Sequence, residues 1–399
     1  LRRALASSGS NSKPCSWKRA TAWRASVSAS VKRCSSRAPV ELHRRSTGAR
    51  EEHRFTEAET LARQAVALFH EHGFEFDPDE ANALLNLGGI REALGDLPEA
   101  ESCFRRANEI LAQLPSDDGG DLDRLKVHAL RDLGSNLRAQ GRYDEAEGLL
   151  RRALADAEQA FGAEDPDVAS SANNLAVLYK YTGNFDDAET LYRRALRLIE
   201  AQAGPVSADA ATVWHNLAGL EHARGRFAQG EPYGRRSVEI RTAVLGPDHP
   251  AVAADLANLG GLLSAQGKDE EAEATFNRAI EVFQGLFGPE HYEIAVNLNN
   301  LAAIAAKRDE LEKAEHLFKR AISIKRKVLG PEHPEIATTI NNLGVLYLEA
   351  QRFGEARSAL EQAKEILESR VGETHPVLAL VRENLRDLPS PRLSQPPTA

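Results

Sequence analysis

Residues 294–329 read IAVNLNNLAAIAAKRDELEKAEHLFKRAISIKRKVL, and their apolar positions fall into two stripes. Leu298, Leu301, Ala302 and Ala305 recur at i, i+3, i+4 and i+7, which places them on one face of a helix. Ala314, Leu317, Phe318, Ala321 and Ile322 form a second stripe. The charged run 307–312 between them cannot be core, so the stretch predicts two helices joined by a short turn. The Asn-Leu-small triplet of the first helix returns as Asn174-Leu175-Ala176, Asn216-Leu217-Ala218, Asn258-Leu259-Gly260, Asn300-Leu301-Ala302 and Asn342-Leu343-Gly344, each 42 residues after the last. A fixed period of that size predicts stacked copies of one supersecondary unit, each unable to bury its apolar face alone. Copies at 78–114, 126–160, 168–202, 210–245, 252–287, 294–329 and 336–371, after a worn one at 41–76, make about eight helix-turn-helix repeats and an all-α fold. Gly95, Gly141, Gly183, Gly225 and Gly267 punctuate the turn in most copies, where a helix end favours the left-handed conformation.

Small residues set the geometry of the unit. Ala176, Ala218, Gly260, Ala302 and Gly344 lie on first helices, and Ala188, Gly230, Ala272, Ala314 and Ala356 on second helices. They let two backbones approach, and a bulky replacement overpacks the contact by roughly 1–3 kcal/mol. Leu175, Ala176, Tyr179, Ala188, Tyr192 and Ala195 form a pattern that resembles the tetratricopeptide repeat, as do Leu259, Gly260, Ala272, Phe276 and Ala279. That repeat is usually about 34 residues long. Here the extra residues lengthen the second helix and add the loops LGPDHPAVA at 245–253, FGPEHYEIA at 287–295, LGPEHPEIA at 329–337 and VGETHPVLA at 371–379. With these loops and its NNL helix, the unit is similar to the repeat of kinesin light chains over roughly residues 50–388. The resemblance implies a right-handed α-solenoid, a superhelix whose first helices line a concave surface. It also implies a peptide ligand, since kinesin light chains bind short Trp-plus-acidic peptides. The heptad coiled coil that joins such chains to a motor has no counterpart in this sequence.

Charge is divided unevenly. The first 50 residues hold 12 Lys and Arg against one acid, Glu41, while the remainder is acidic enough to bring the net charge to −9. An acidic stack is a poor match for a phosphate backbone, so nucleic-acid binding by the repeats is not expected. Residues 1–40, rich in Ser, Arg and Ala, are expected to be disordered, either as an organellar transit peptide, a basic tail or a start-site artefact. In the worn first repeat Arg45 stands where Leu belongs, so only its second helix, 58–69, is expected to form. Residues 376–388 start another first helix and read as a cap, and the Pro-rich tail 389–399 is expected to be disordered. No run of 18 apolar residues marks a membrane span. The three cysteines, Cys15, Cys34 and Cys103, lack metal spacing, and the expected location is cytoplasmic unless residues 1–40 direct the chain to an organelle.

No P-loop, GxSxG, HExxH or CxxC occurs, so neither an enzyme nor a cofactor is expected. The inserted loop 115–125 carries Asp117, Asp118, Asp121 and Asp123, but without the spacing of a calcium loop. His249, His291, His333 and His375 are each a full repeat from the next, too far apart to share a metal, and read as loop and capping residues. The Asn before each core Leu is the candidate for binding: Asn174, Asn216, Asn258, Asn300 and Asn342, with Asn86 and Asn384 in the outer copies and Asp132 in the third. One residue is about 100° of helix, so these side chains lie beside the core stripe. An amide can pair with both the N–H and the C=O of an extended peptide, or it can bond to a neighbouring repeat and stiffen the stack. Arg131, Arg138, Lys180, His215 and His222, with His128, give the middle repeats a basic lining, and Asp255 and Glu349 are expected to face the later groove. The expected function is a scaffold holding an extended protein segment, with acidic residues suiting repeats three to five. The alternative is the regulatory or sensor region of a larger protein, for example a signalling NTPase.

Overall fold

The computed structural model describes residues 37–389, apart from the short stretches 52–53, 72–75, 118 and 371–375. The expectations for residues 1–36, for His375 and for the tail beyond 389 therefore lie outside the described residues. Seventeen helices and no strand occur among the described residues. In chain order they are α1 Arg37–Glu51, α2 Phe55–Glu71, α3 Pro78–Ala93, α4 Leu97–Ala112, α5 Asp121–Ala139, α6 Tyr143–Phe161 and α7 Pro166–Thr182. There follow α8 Phe185–Ala203, α9 Ala208–Ala223, α10 Phe227–Leu245, α11 Pro250–Ala265, α12 Asp269–Phe287, α13 Tyr292–Lys307, α14 Leu311–Leu329, α15 Pro334–Glu349, α16 Phe353–Arg370 and α17 Pro376–Arg386. Two compact units divide within α7, one running to Leu178 and the other beginning at Tyr179.

Within the first unit, α1 packs on α2, α3 on α4 and α5 on α6; within the second, α9 packs on α10, α11 on α12, α13 on α14 and α15 on α16. In the first unit α2 packs on α3 and α4 on α5; in the second α8 packs on α9, α10 on α11, α12 on α13 and α14 on α15, and α17 closes the array against α16. First helices of successive hairpins also touch: α1 with α3 and α3 with α5 in one unit, and α9, α11, α13, α15 and α17 in series in the other. No two second helices approach each other as closely among the described residues. The first helices thus crowd together along one side of each unit.

The small residues of the first helices answer to large ones on the second. A methyl group on Gly260 would stand 2.7 Å from the Phe276 ring, and one on Gly88 2.5 Å from Phe104. Gly134 meets Leu150 and Gly344 meets Leu360 in the same way. These are the close contacts that the small positions predict. Phe104, Leu150, Phe276 and Leu360 are buried at the centres of their hairpins. The turn glycines Gly95, Gly141, Gly183, Gly225 and Gly267 all have positive φ. In the last two hairpins Asp309 (φ 60°) and Gln351 (φ 57°) hold the same conformation with a side chain.

The loop histidines are helix caps. The Nδ1 atoms of His249, His291 and His333 accept the N–H of Ala251, Glu293 and Glu335 at 3.1, 3.3 and 3.3 Å. Pro250 and Pro334 occupy the first helical position, where a missing N–H leaves nothing unpaired. The loop acids pair with the next second helix: Asp248 with Arg278, Glu290 with Lys327 and Glu332 with Arg370.

One sequence expectation fails at the N-terminal end. The first half of the worn repeat does form, as α1. Arg45 is exposed, and α1 buries Ser46 and Ala49 instead. The Ser46 hydroxyl donates to the Ala58 carbonyl at 2.7 Å, so a small polar residue makes the contact that apolar residues make elsewhere. In the inserted loop, Asp117 accepts the N–H groups of Gly120, Leu122 and Asp123 and caps α5. Asp123 is buried and accepts from Ser116 and from the Gly119 N–H.

A ladder of ion pairs joins successive hairpins. In five copies the Glu after the small residue of a second helix takes a cation from the next turn: Glu101 with Arg142, Glu189 with Arg224, Glu231 with Lys268, Glu273 with Arg308 and Glu315 with Arg352. Hydrogen bonds from these cations hold the Glu231 and Glu315 carboxyls down to about 2, led by Lys268 and Arg352 respectively.

Candidate functional site

The first-helix side of the second unit carries a cluster of polar groups over bare backbone. Gly219 on α9 and Gly261 on α11 occupy the same position in consecutive hairpins. Lys180 Nζ lies 3.6 Å, and Asn258 Nδ2 3.7 Å, from where a β-carbon on Gly219 would sit. His222 Nε2 lies 3.9 Å from the corresponding point on Gly261. In the two following hairpins this position is filled by Ala303 and Val345. His222 is exposed, with its ring edge-on to Phe227. Desolvation by its surroundings, and then the charge of Lys180, push its imidazole below the ordinary histidine value. Lys180 also stands over the Tyr181 ring.

His215 borders this cluster and ties it to the core. Its Nδ1 is 2.8 Å from Asp255 Oδ1, and Asp255 Oδ2 accepts from Arg241 Nε at 2.7 Å. Arg241 also donates to the Thr212 hydroxyl. Asp255 is only 1 % exposed, which corrects the expectation that it faces the groove. Four residues before the core Leu259, it occupies the position held by Val213 in the preceding repeat and Val381 in the last, both buried. A carboxylate is stable there because a guanidinium and an imidazole, both from the preceding hairpin, satisfy both its oxygens.

The asparagines divide between two environments. Asn258 Nδ2 donates to the His215 carbonyl at 3.3 Å, Asn342 Nδ2 to Asn299 Oδ1 at 3.2 Å, and Asn384 Nδ2 to Asn341 Oδ1 at 2.8 Å. Each of these bonds reaches back to the preceding hairpin, so these three amides do link repeats. Asn174 instead bonds to the carbonyl of Ser170 on its own helix. Asn216 and Asn300 are half-buried on α9 and α13. None of Asn174, Asn216, Asn258, Asn300 and Asn342 is fully buried, and all lie beside the core stripe as the one-residue offset requires.

In the first unit the expected basic lining is largely paired. His128 Nε2 is 2.7 Å from Asp167 Oδ1, and Arg131 lies 3.9 Å from the same oxygen. Arg124 braces Asp165 and Asp167. Arg138 is half-buried near Glu92, whose carboxyl is raised by burial, as is that of Asp132. Arg50 reaches from α1 over Gly89 and donates to Asn86. Arg131, Arg138 and Asn174 thus belong to the first unit, and Lys180, His215, Asn216, His222, Asn258, Asn300 and Asn342 to the second. Sequence reasoning missed Arg241 and the ion-pair ladder. The ladder had a legible signal, an Ala-Glu or Gly-Glu pair recurring every 42 residues from Ala188-Glu189 to Ala314-Glu315.

An all-helical stack of repeated hairpins, with a polar first-helix face and no strand among the described residues, defines a helical-repeat protein. The tetratricopeptide repeat model matches residues 42–113, 126–201, 209–285, 254–327 and 293–369, and the chain belongs to that family. No curated protein sequence matches it. Among solved structures it is similar to BtubC, a protein also labelled BKLC, from P. vanneervenii, at 24 % identity over 63 % of this chain and 92 % of that one, with a TM-score of 0.45. It is also similar to a Rap protein complexed with competence and sporulation factor, at 14 % identity over 88 % of this chain and 98 % of that one (TM-score 0.56). A third is a signal transduction ATPase with numerous domains and a tetratricopeptide repeat sensor, from Pyrococcus horikoshii, at 13 % identity over 82 % of this chain but 48 % of that one (TM-score 0.54). These likenesses concern the fold. No described helix is long and apolar enough to cross a membrane.

Proposed function

We propose that this chain is a non-catalytic scaffold that holds an extended protein segment against its first helices. The observation that carries the reading is the cluster of Lys180, His215, His222 and Asn258 beside the glycine backbone at Gly219 and Gly261. An extended chain needs donors and acceptors at its own height and no side chain beneath it. The half-buried asparagines supply the first and the glycines the second. The basic groups favour an acidic segment by charge complementarity, with the contribution falling as salt rises. The structure of Rap complexed with competence and sporulation factor gives precedent for a ligand on this type of fold.

The test is an array of immobilised peptides of about ten residues, graded in acidity, probed with the full chain. Retention is expected to increase with acidity, to fall with salt, and to weaken in the Asn216→Ala/Asn258→Ala double variant. Retention independent of acidity, or none at all, would contradict the reading.

A further inference from the structure

Helix α10 is built unlike the second helices on either side of it. We propose that it is the yielding element of the second unit. It leaves its place between α9 and α11 by local opening while the hairpins around it stay folded, and its return restores the contacts that fix His215.

The first argument is a missing anchor. Tyr192 of α8, Phe276 of α12, Phe318 of α14 and Leu360 of α16 are buried at one position of the repeat, where α10 has Gly234. Three residues further on, Ser237 replaces the alanine of the other four helices. Ile240 is the one large apolar side chain that α10 buries fully. Leu259 and Leu262 of α11 close the space at Gly234, 3.4 and 3.3 Å from where its β-carbon would sit. The helix thus lies in a socket supplied by its neighbour and adds little apolar side chain of its own, so few contacts oppose its departure.

The second argument is the backbone. Pro232 stands inside α10, where it has no N–H for the Ala228 carbonyl and its ring crowds that group. Thr190, Ala274, His316 and Ser358 hold the position in the other four helices, and each has the N–H. Gly230 is imposed by close approach, since a β-carbon there would stand 2.8 Å from Leu262 and 3.1 Å from the Ala218 carbonyl. It costs the helix the freedom that glycine has when unfolded.

The third argument is what holds the rest of α10. Arg241 joins it to α11 through Asp255, at a position where α12 has Phe283 and α16 has Leu367, both buried. Lys325 holds this position in α14, which keeps its anchor Phe318. Arg241 and Asp255 regain hydration when the helices part, which an apolar pair cannot do. Tyr233 lies against Trp214 of α9 with 5.4 Å between ring centroids, and the buried Trp214 indole N–H has no acceptor. The pairs Glu231–Lys268 and Arg235–Glu271 are near the surface, where such pairs hold weakly. Opening also disturbs the first-helix face, because it takes Arg241 from the carboxylate that orients the His215 ring.

Trypsin tests the proposal with internal controls. Arg194, Arg236, Arg278 and Arg320 occupy one position in α8, α10, α12 and α14, and all four are half-buried. In the native full chain, cleavage after Arg236 is expected to be at least about tenfold faster than after the other three. Pro232→Ala, at an exposed position, should slow cleavage after Arg236 by about tenfold and leave the others unchanged. Hydrogen exchange should follow the same order, with residues 227–245 exchanging ahead of 269–287 and 311–329. Equal cleavage at the four arginines would overturn the inference. So would a Pro232→Ala variant cut at the original rate, or one slowed equally at all four sites, which would mean that α10 opens only with the whole unit.

Discussion

Asp309 and Gln351 hold a left-handed turn that five other repeats assign to glycine. That conformation costs an L-residue about 1–2 kcal/mol, part of which glycine returns through its extra freedom in the unfolded chain. Asp309→Gly and Gln351→Gly are therefore each expected to stabilise the chain by up to about 1 kcal/mol in urea unfolding. Destabilisation would mean that their side chains do more than fill the turn. Asp255 argues in the other direction. Removing its carboxylate in Asp255→Ala strands Arg241 in the core, and breaking a buried pair from one side costs about 3–5 kcal/mol. An Asp255→Leu/Arg241→Met double variant should recover most of that loss, because both charges leave together. A loss below about 1 kcal/mol for the single variant would show that the pair is not desolvated as its burial indicates.

At the scale of the helix, capping and inter-hairpin pairing make stability depend on pH. His291 lies against the rings of Phe283 and Phe287, and burial holds its imidazole below the ordinary 6.5. Its Nδ1 must be unprotonated to accept the Glu293 N–H. Between the lowered value and 6.5 the unfolded chain binds more protons than the folded one, so stability rises with pH through that window. Acidification from pH 7.5 to 5.5 is expected to lower the melting temperature. His291→Asn, which caps without titrating, should reduce that drop. A drop of unchanged size would place its cause elsewhere. A second loss begins lower. Glu231 and Glu315, held near 2, contribute stability that is complete above the ordinary 4.5 and is lost as the pH falls toward 2.

For the whole molecule, the fold was legible because every level of the sequence repeats with one period. Gly260 and Phe276, or Gly344 and Leu360, are complementary pairs inside one hairpin, and such local partners can be read from spacing alone. Asp255 could not be read this way. Its partners His215 and Arg241 lie on the preceding hairpin, and the angle between hairpins, which decides that contact, leaves no mark in the period. The same angle turns Asn258, Asn342 and Asn384 toward the preceding repeat, so an offset that places them beside the core does not by itself say what they bond to. Arg45 misled for a related reason, since a helix can bury Ser46 and Ala49 in place of a leucine when a hydroxyl finds a carbonyl.

The central claim is that a partner segment lies along the first helices and nowhere else. It is tested most directly by placing a photo-crosslinking residue at Ala303, exposed on a first helix, and separately at Ser323, exposed on a second helix. Each full-length variant is irradiated with the same pool of acidic peptides. The account predicts crosslinks from position 303, suppressed by added salt, and none from position 323. Crosslinks from 323 with none from 303 would contradict it.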